Sequence, residues 1–181
     1  MHQTLALHPD SRCNAVTRID VEATRPRPGH LVLRYTVAGK IADLRLPRPT
    51  VSTRTDELWR HTCFEAFLRP PSGEAYYEFN FAPSTQWAAY AFSGYRSGMR
   101  VADEAGVPFI EVQPGADFYV LQASLDLVRL VHVPEDALWR LGLSSVIEEE
   151  SGALSYWALE HPPGRADFHH SDCFALELAS A

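Results

Sequence analysis

The sequence predicts an all-β protein, an antiparallel β-sandwich of about ten strands in the manner of a jelly roll. Three observations lead there. Short apolar runs recur at roughly 8–12-residue spacing. Most of the 13 prolines and 10 glycines fall between those runs rather than inside them. No stretch longer than about two turns carries a persuasive 3.6-residue apolar period. With 181 residues, 46% of them hydrophobic, the chain suits one domain with its own core, and neither a metal nor a disulfide is needed to hold it.

The strands follow in order. Thr17–Ala23 alternates, with Ile19 and Val21 on one side and Arg18, Asp20 and Glu22 on the other. Arg25-Pro26-Arg27-Pro28-Gly29 is a turn, and His30–Val37 alternates around Leu31, Leu33 and Tyr35. After the tight turn Ala38-Gly39-Lys40, Ile41–Leu46 is expected as a strand and 47–54 as an extended edge or loop. His61–Leu68 and Tyr76–Phe81 form the strongest pair, joined by a hairpin loop from Arg69 to Glu74. Trp87–Phe92 is next, and 94–107 reads as a loop with a short edge strand. Phe109–Val112 and Phe118–Leu125 flank the Pro114-Gly115 turn. Pro134-Glu135-Asp136 should open a single helical turn, since proline suits the first helical position and acids the positive end of the dipole. Leu141–Glu148, Leu154–Leu159 and Phe174–Leu178 complete the set. There is no internal repeat or linker, so residues 1–181 read as one domain with its core at about 17–178.

Charge and cysteines narrow the function. The net charge of −7 and the lack of any Lys/Arg cluster argue against nucleic acid, which needs cations to displace phosphate counterions. Mean hydropathy is −0.18 and no apolar run reaches a membrane-spanning length, so no membrane partner is expected. Residues 1–9 show neither a basic segment nor a long apolar one, which predicts a cytoplasmic protein. Cys13, Cys63 and Cys173 are odd in number and far apart, so they are expected as free thiols in a reducing compartment.

Alternation also assigns faces. In 61–68, Thr62, Phe64, Ala66 and Leu68 share one face, and His61, Cys63, Glu65 and Phe67 the other. In 76–81, Tyr77, Phe79 and Phe81 oppose Tyr76, Glu78 and Asn80. If the two strands pair, Glu65, Glu78 and Asn80 line one polar face. Such a face suits a polyhydroxylated ligand, held by carboxylates and amides while aromatic rings stack on its C–H faces. Trp59, Trp87, Trp157, Tyr90 and Tyr95 are the aromatic candidates. A solvated outer face with core aromatics would produce the same letters.

The run Trp59-Arg60-His61-Thr62-Cys63-Phe64-Glu65-Ala66-Phe67-Leu68 precedes Tyr76-Tyr77-Glu78-Phe79-Asn80-Phe81-Ala82-Pro83-Ser84, with Trp87 and Tyr90 close behind. Later come Ser155-Tyr156-Trp157-Ala158-Leu159-Glu160-His161-Pro162, a loop through His169-His170, and Phe174-Ala175-Leu176. In order and separation these resemble the DOMON-like superfamily, near the family 9 carbohydrate-binding modules, across roughly Thr17 to Leu178. The resemblance implies the sandwich fold. Members bind sugars, bind haem in redox chains, or have no known ligand, so the fold leaves the ligand to be argued from the site.

Four functions are compatible with these residues. The leading one is non-catalytic binding of a carbohydrate-like small molecule. There Glu65, Glu78 and Asn80 would hydrogen-bond the ligand, Trp87 and Trp157 would stack on it, and His161 and His169 would sit at the rim. The second is a structural or protein-interaction domain without a small-molecule ligand. The third is a haem-binding redox module, with Met99 as one axial ligand and His61, His161, His169 or His170 as the other. The fourth is a glycoside-active enzyme using Glu65 and Glu78 as its carboxylate pair. No nucleophile elbow, phosphate loop or dinucleotide motif is present, and no catalytic residue is assigned. The segment from His161 to Asp172 is rich in metal-type ligands but matches no zinc spacing. No cofactor is expected, with haem or calcium as the alternatives.

Overall fold

The computed structural model describes residues 1–70, 72–131, 133–134 and 137–179. Among these residues twelve strands are present: β1 (His2–Leu7), β2 (Val16–Thr24), β3 (His30–Gly39), β4 (Cys63–Arg69), β5 (Tyr76–Phe81), β6 (Trp87–Phe92), β7 (Arg100–Val101), β8 (Phe109–Pro114), β9 (Phe118–Asp126), β10 (Trp139–Glu148), β11 (Leu154–Ala158) and β12 (Leu176–Leu178). These strands pair antiparallel throughout. Among the described residues, helical structure is limited to 3₁₀ turns at 41–43, 58–60, 103–105 and 171–173.

The strands run β7-β6-β5-β4-β10-β11-β1-β2-β3-β9-β8, and β12 adds to β10. β1 is the corner. Its residues Ala6 and Leu7 pair with β11, whereas His2 to Leu5 pair with β2. The path therefore folds into two layers, β7-β6-β5-β4-β10-β11 and β2-β3-β9-β8, with their apolar faces together. Ile19, Val21, Leu33 and Leu121 from one layer meet Phe64, Leu68, Phe79 and Leu143 from the other in one buried cluster. Burying such side chains contributes about 1.5–3 kcal/mol each. Tyr35 crosses between the layers, and its hydroxyl donates to the Glu65 carbonyl at 2.8 Å.

Two segments depart from expectation. Ile41–Leu46 is not a strand: Ile41–Asp43 is a 3₁₀ turn and Leu44 makes an isolated bridge to Glu149. The buried residues there, Ile41 and Leu44, are three apart, which suits a three-residue turn better than a two-residue pleat. Conversely, β1 is a strand that the sequence hardly marks, since Leu5 is its one buried residue. The expected helical turn at Pro134-Glu135-Asp136 falls on residues 135 and 136, which lie outside the described residues.

Candidate ligand-binding cleft

The outer face of the β4–β5–β6–β10 layer carries the polar residues. Register places Glu65 opposite Asn80, Phe67 opposite Glu78, and Glu78 opposite Tyr90. Glu65 and Glu78 are thus diagonal neighbours across two strands, a relation that spans about 7–8 Å between backbones. On the other side of β4, Ser144 lies opposite Glu65.

This face is not an ordinary wet sheet surface. The segment after β11 folds back over it. Phe168, His169 and Phe174 pack on Phe67, Tyr76 and Phe92 in a second aromatic cluster. The 3₁₀ turn at Leu58–Arg60 forms another wall. Between them lies a cleft of about 680 Å³ with Glu65 and Glu78 among its lining residues. Tyr90, Tyr156 and Phe92 also line it. So does Trp59, a residue that is 46% exposed, with the Arg60 guanidinium 5.4 Å from its ring centroid.

Burial governs the electrostatics of the floor. Glu65 is 3% exposed, and burial, reinforced by the nearby Glu78 charge, holds its carboxyl well above the ordinary range. Its Oε1 has no hydrogen-bond partner among the described residues. Glu78 is also raised by burial, opposed by an N–H from Asn80 at 2.8 Å and by the charge of Arg96. Asn80 is fully buried and accepts a hydrogen bond from the Cys63 thiol at 3.6 Å. The His169 Nδ1 shares a hydrogen bond with the Tyr76 hydroxyl at 2.8 Å, and its Nε2 faces Glu78 at 3.8 Å. Burial, helped by the Arg96 charge, pushes His169 down to about 4, so the ring is neutral at pH 7.

Of the residues singled out in the sequence, Glu65, Glu78, Asn80 and His169 come together here. Trp87, Trp157 and His161 do not. Trp157 is 5% exposed and belongs to the core between the layers, its indole N–H bonded to Ser155 Oγ at 3.1 Å. Trp87 sits opposite Phe81 and packs on the same core. Both indoles fall on the inward parity of their strands, so neither can stack on a ligand in the cleft. His161 bonds the Ala6 carbonyl at 2.9 Å and packs edge-on against His8, outside the cleft lining. Trp59, Tyr90 and Tyr156 take the aromatic places instead. Arg96 and Met99, from the bend before β7, complete one rim.

No protein-family model matches this chain, and no curated protein matches it in sequence. Solved structures do share its fold. A candidate carbohydrate-binding protein from Bacteroides uniformis superposes with a TM-score of 0.70 at 16% identity, over 100% of this chain and 86% of that one. A family 9 carbohydrate-binding module from Caldicellulosiruptor kristjanssonii, in complex with cellotriose, gives 0.53 at 10% identity over 91% and 74%. The same organism's family 9 module with glucose gives 0.52 at 11% identity over 98% and 84%. At these identities the likeness establishes the fold.

Proposed function

We propose that the chain is a non-catalytic module that reversibly binds a carbohydrate-like small molecule in the cleft above Glu65 and Glu78. The observation that carries this reading is the half-exposed residue Trp59 beside a floor of buried carboxyls. An exposed ring stacks on the C–H face of a sugar, while carboxyl and amide groups bond its hydroxyls. The folds of similar shape include modules holding glucose and cellotriose, which supports the ligand class. The DOMON-like affiliation drawn from Trp59–Leu68 and Tyr76–Ser84 is part of the same proposal.

The other readings fit the residues less well. A glycosidase keeps one carboxylate ionised beside a protonated partner. Here burial raises both Glu65 and Glu78. Met99 and His169 both border the cleft, but the His169 Nδ1 is taken by the Tyr76 hydroxyl and its Nε2 faces Glu78 at 3.8 Å.

The test is calorimetric titration and thermal shift with glucose and cellotriose, on the parent chain and on Trp59→Ala. A ligand present at 100 times its Kd adds about 2.7 kcal/mol to stability, roughly 5–10 °C in melting temperature for a domain of this size. Trp59→Ala should lose most of that shift. No shift with either sugar, or full affinity in Trp59→Ala, would overturn the proposal.

A further inference from the structure

The carboxylates around the rim of the cleft each have an arginine. Asp56 is bonded by Arg54 at 2.7 Å, Glu57 by Arg60 at 2.7 Å, and Asp167 by Arg96 at 2.7 Å. The floor differs. Among the described residues no cationic side chain touches Glu65 or Glu78 at pH 7. Arg96 is committed to Asp167, and His169 is neutral. The Tyr90 hydroxyl, which stands across the strand pair from Glu78, donates instead to Asp56 at 2.6 Å. Glu65 is 3% exposed, and its Oε1 is left with no donor among the described residues.

Two buried carboxyls without a cation, one of them with an oxygen that has no donor among the described residues, are costly to keep. We propose that the floor of this cleft is a receptor for an ammonium group, so that the preferred ligand is an amino sugar rather than a neutral one. This rests on the carbohydrate reading and narrows it. An ammonium brings three N–H donors and a full positive charge to a floor where the Asn80 amide already donates to Glu78 and Arg96 is paired with Asp167. A metal ion suits the floor less well. No group of three or more His, Cys, Asp or Glu converges among the described residues, and the Asn80 amide oxygen already accepts from Cys63.

Binding also has a proton signature. The groups facing Glu65 and Glu78 are Cys63, Tyr35, Tyr76, Tyr90, Asn80, His169 and Arg96, and burial keeps the Tyr76 phenol protonated. Burial holds the Cys63 thiol and the Tyr35 and Tyr90 phenols protonated and His169 neutral, and Arg96 stays cationic. The carboxyl pair, both members raised by burial, is therefore the group that gives up a proton when a cation arrives. An arriving ammonium favours the ionised pair, and the proton held there leaves to the buffer.

The experiment is isothermal titration at pH 7 of the full chain with D-glucosamine, D-glucose, N-acetyl-D-glucosamine and n-butylammonium. Two buffers of different ionisation enthalpy count released protons. Glucosamine should bind about tenfold or more tighter than glucose or N-acetylglucosamine, with net proton release. Glu65→Gln should reduce that preference to within about threefold and abolish the proton release. Glu78→Gln should do the same, and thermal unfolding of each variant confirms that it is folded. Equal affinity for glucosamine and glucose would overturn the ammonium receptor and leave the sugar site standing. Binding of n-butylammonium without any sugar would retain the receptor and remove the sugar. No binding of any of the four would overturn both.

Discussion

Replacing Trp157 by alanine removes an indole that is 5% exposed, packed between the two layers and bonded through its N–H to Ser155. Truncating a buried aromatic to alanine costs about 3–5 kcal/mol through lost transfer energy and the cavity left behind. For a domain of this length each kcal/mol moves the melting temperature by about 2–4 °C, so Trp157→Ala should melt roughly 6–20 °C lower. Trp59→Ala removes an indole that is 46% exposed, in a 3₁₀ turn. Substitutions at such sites change stability by about 0.5 kcal/mol, which is barely 2 °C. The two variants should thus separate: Trp157→Ala loses stability, and Trp59→Ala loses sugar affinity. Differential scanning calorimetry with and without glucose reads both at once. If Trp157→Ala melted within 2 °C of the parent, the assignment of that indole to the core would be wrong.

Other consequences follow from the same floor and core. Glu65 is held protonated in the fold beyond its unfolded range, so the native state binds the extra proton. Stability from this group is present below the unfolded carboxyl range and is lost as pH rises toward the folded value. The melting-temperature gap between Glu65→Gln and the parent should therefore move in favour of the variant from pH 4.5 to 8. A flat difference would refute it. Tyr35→Phe removes the buried hydrogen bond to the Glu65 carbonyl and should cost about 0.5–1.5 kcal/mol by urea unfolding, rather than nothing. Gly39 has φ +150°, and an added Cβ would lie 2.1 Å from the Ala15 carbonyl oxygen. Gly39→Ala should destabilise by more than about 1 kcal/mol, and a neutral effect would mean the turn relaxes freely.

Strand parity explains both what the sequence reveals and what it hides. In β4 and β5 a carboxylate or amide alternates with large apolar residues, so the shared face of Glu65, Glu78 and Asn80 is readable once the two strands are paired. In β6 the sequence Trp87-Ala88-Ala89-Tyr90-Ala91-Phe92 has a large aromatic on each face. Nothing within it says which side is the core; the register of Trp87 with Phe81 decides, and that is a tertiary fact. β11 poses the same ambiguity between Tyr156 and Trp157. Its outer face is covered by the segment carrying Phe168 and His169, so both faces are apolar. Trp59 and Arg96 reach the cleft from bends whose course no periodicity encodes, and Arg96 adopts a left-handed backbone at φ 50°. β1 is legible only as the corner between layers, because a strand with one buried residue leaves little pattern.

The chain has four tryptophans, and the structure assigns them different surroundings. Trp59 lines the cleft, while Trp87, Trp139 and Trp157 pack on the core. The most direct test of the cleft as the binding site is to follow the four indole N–H signals by NMR during titration with glucosamine and with glucose. One indole signal, assigned by its loss in Trp59→Ala, should shift in a saturable way while the other three stay in place. Saturable movement of a core indole with Trp59 unmoved would contradict it.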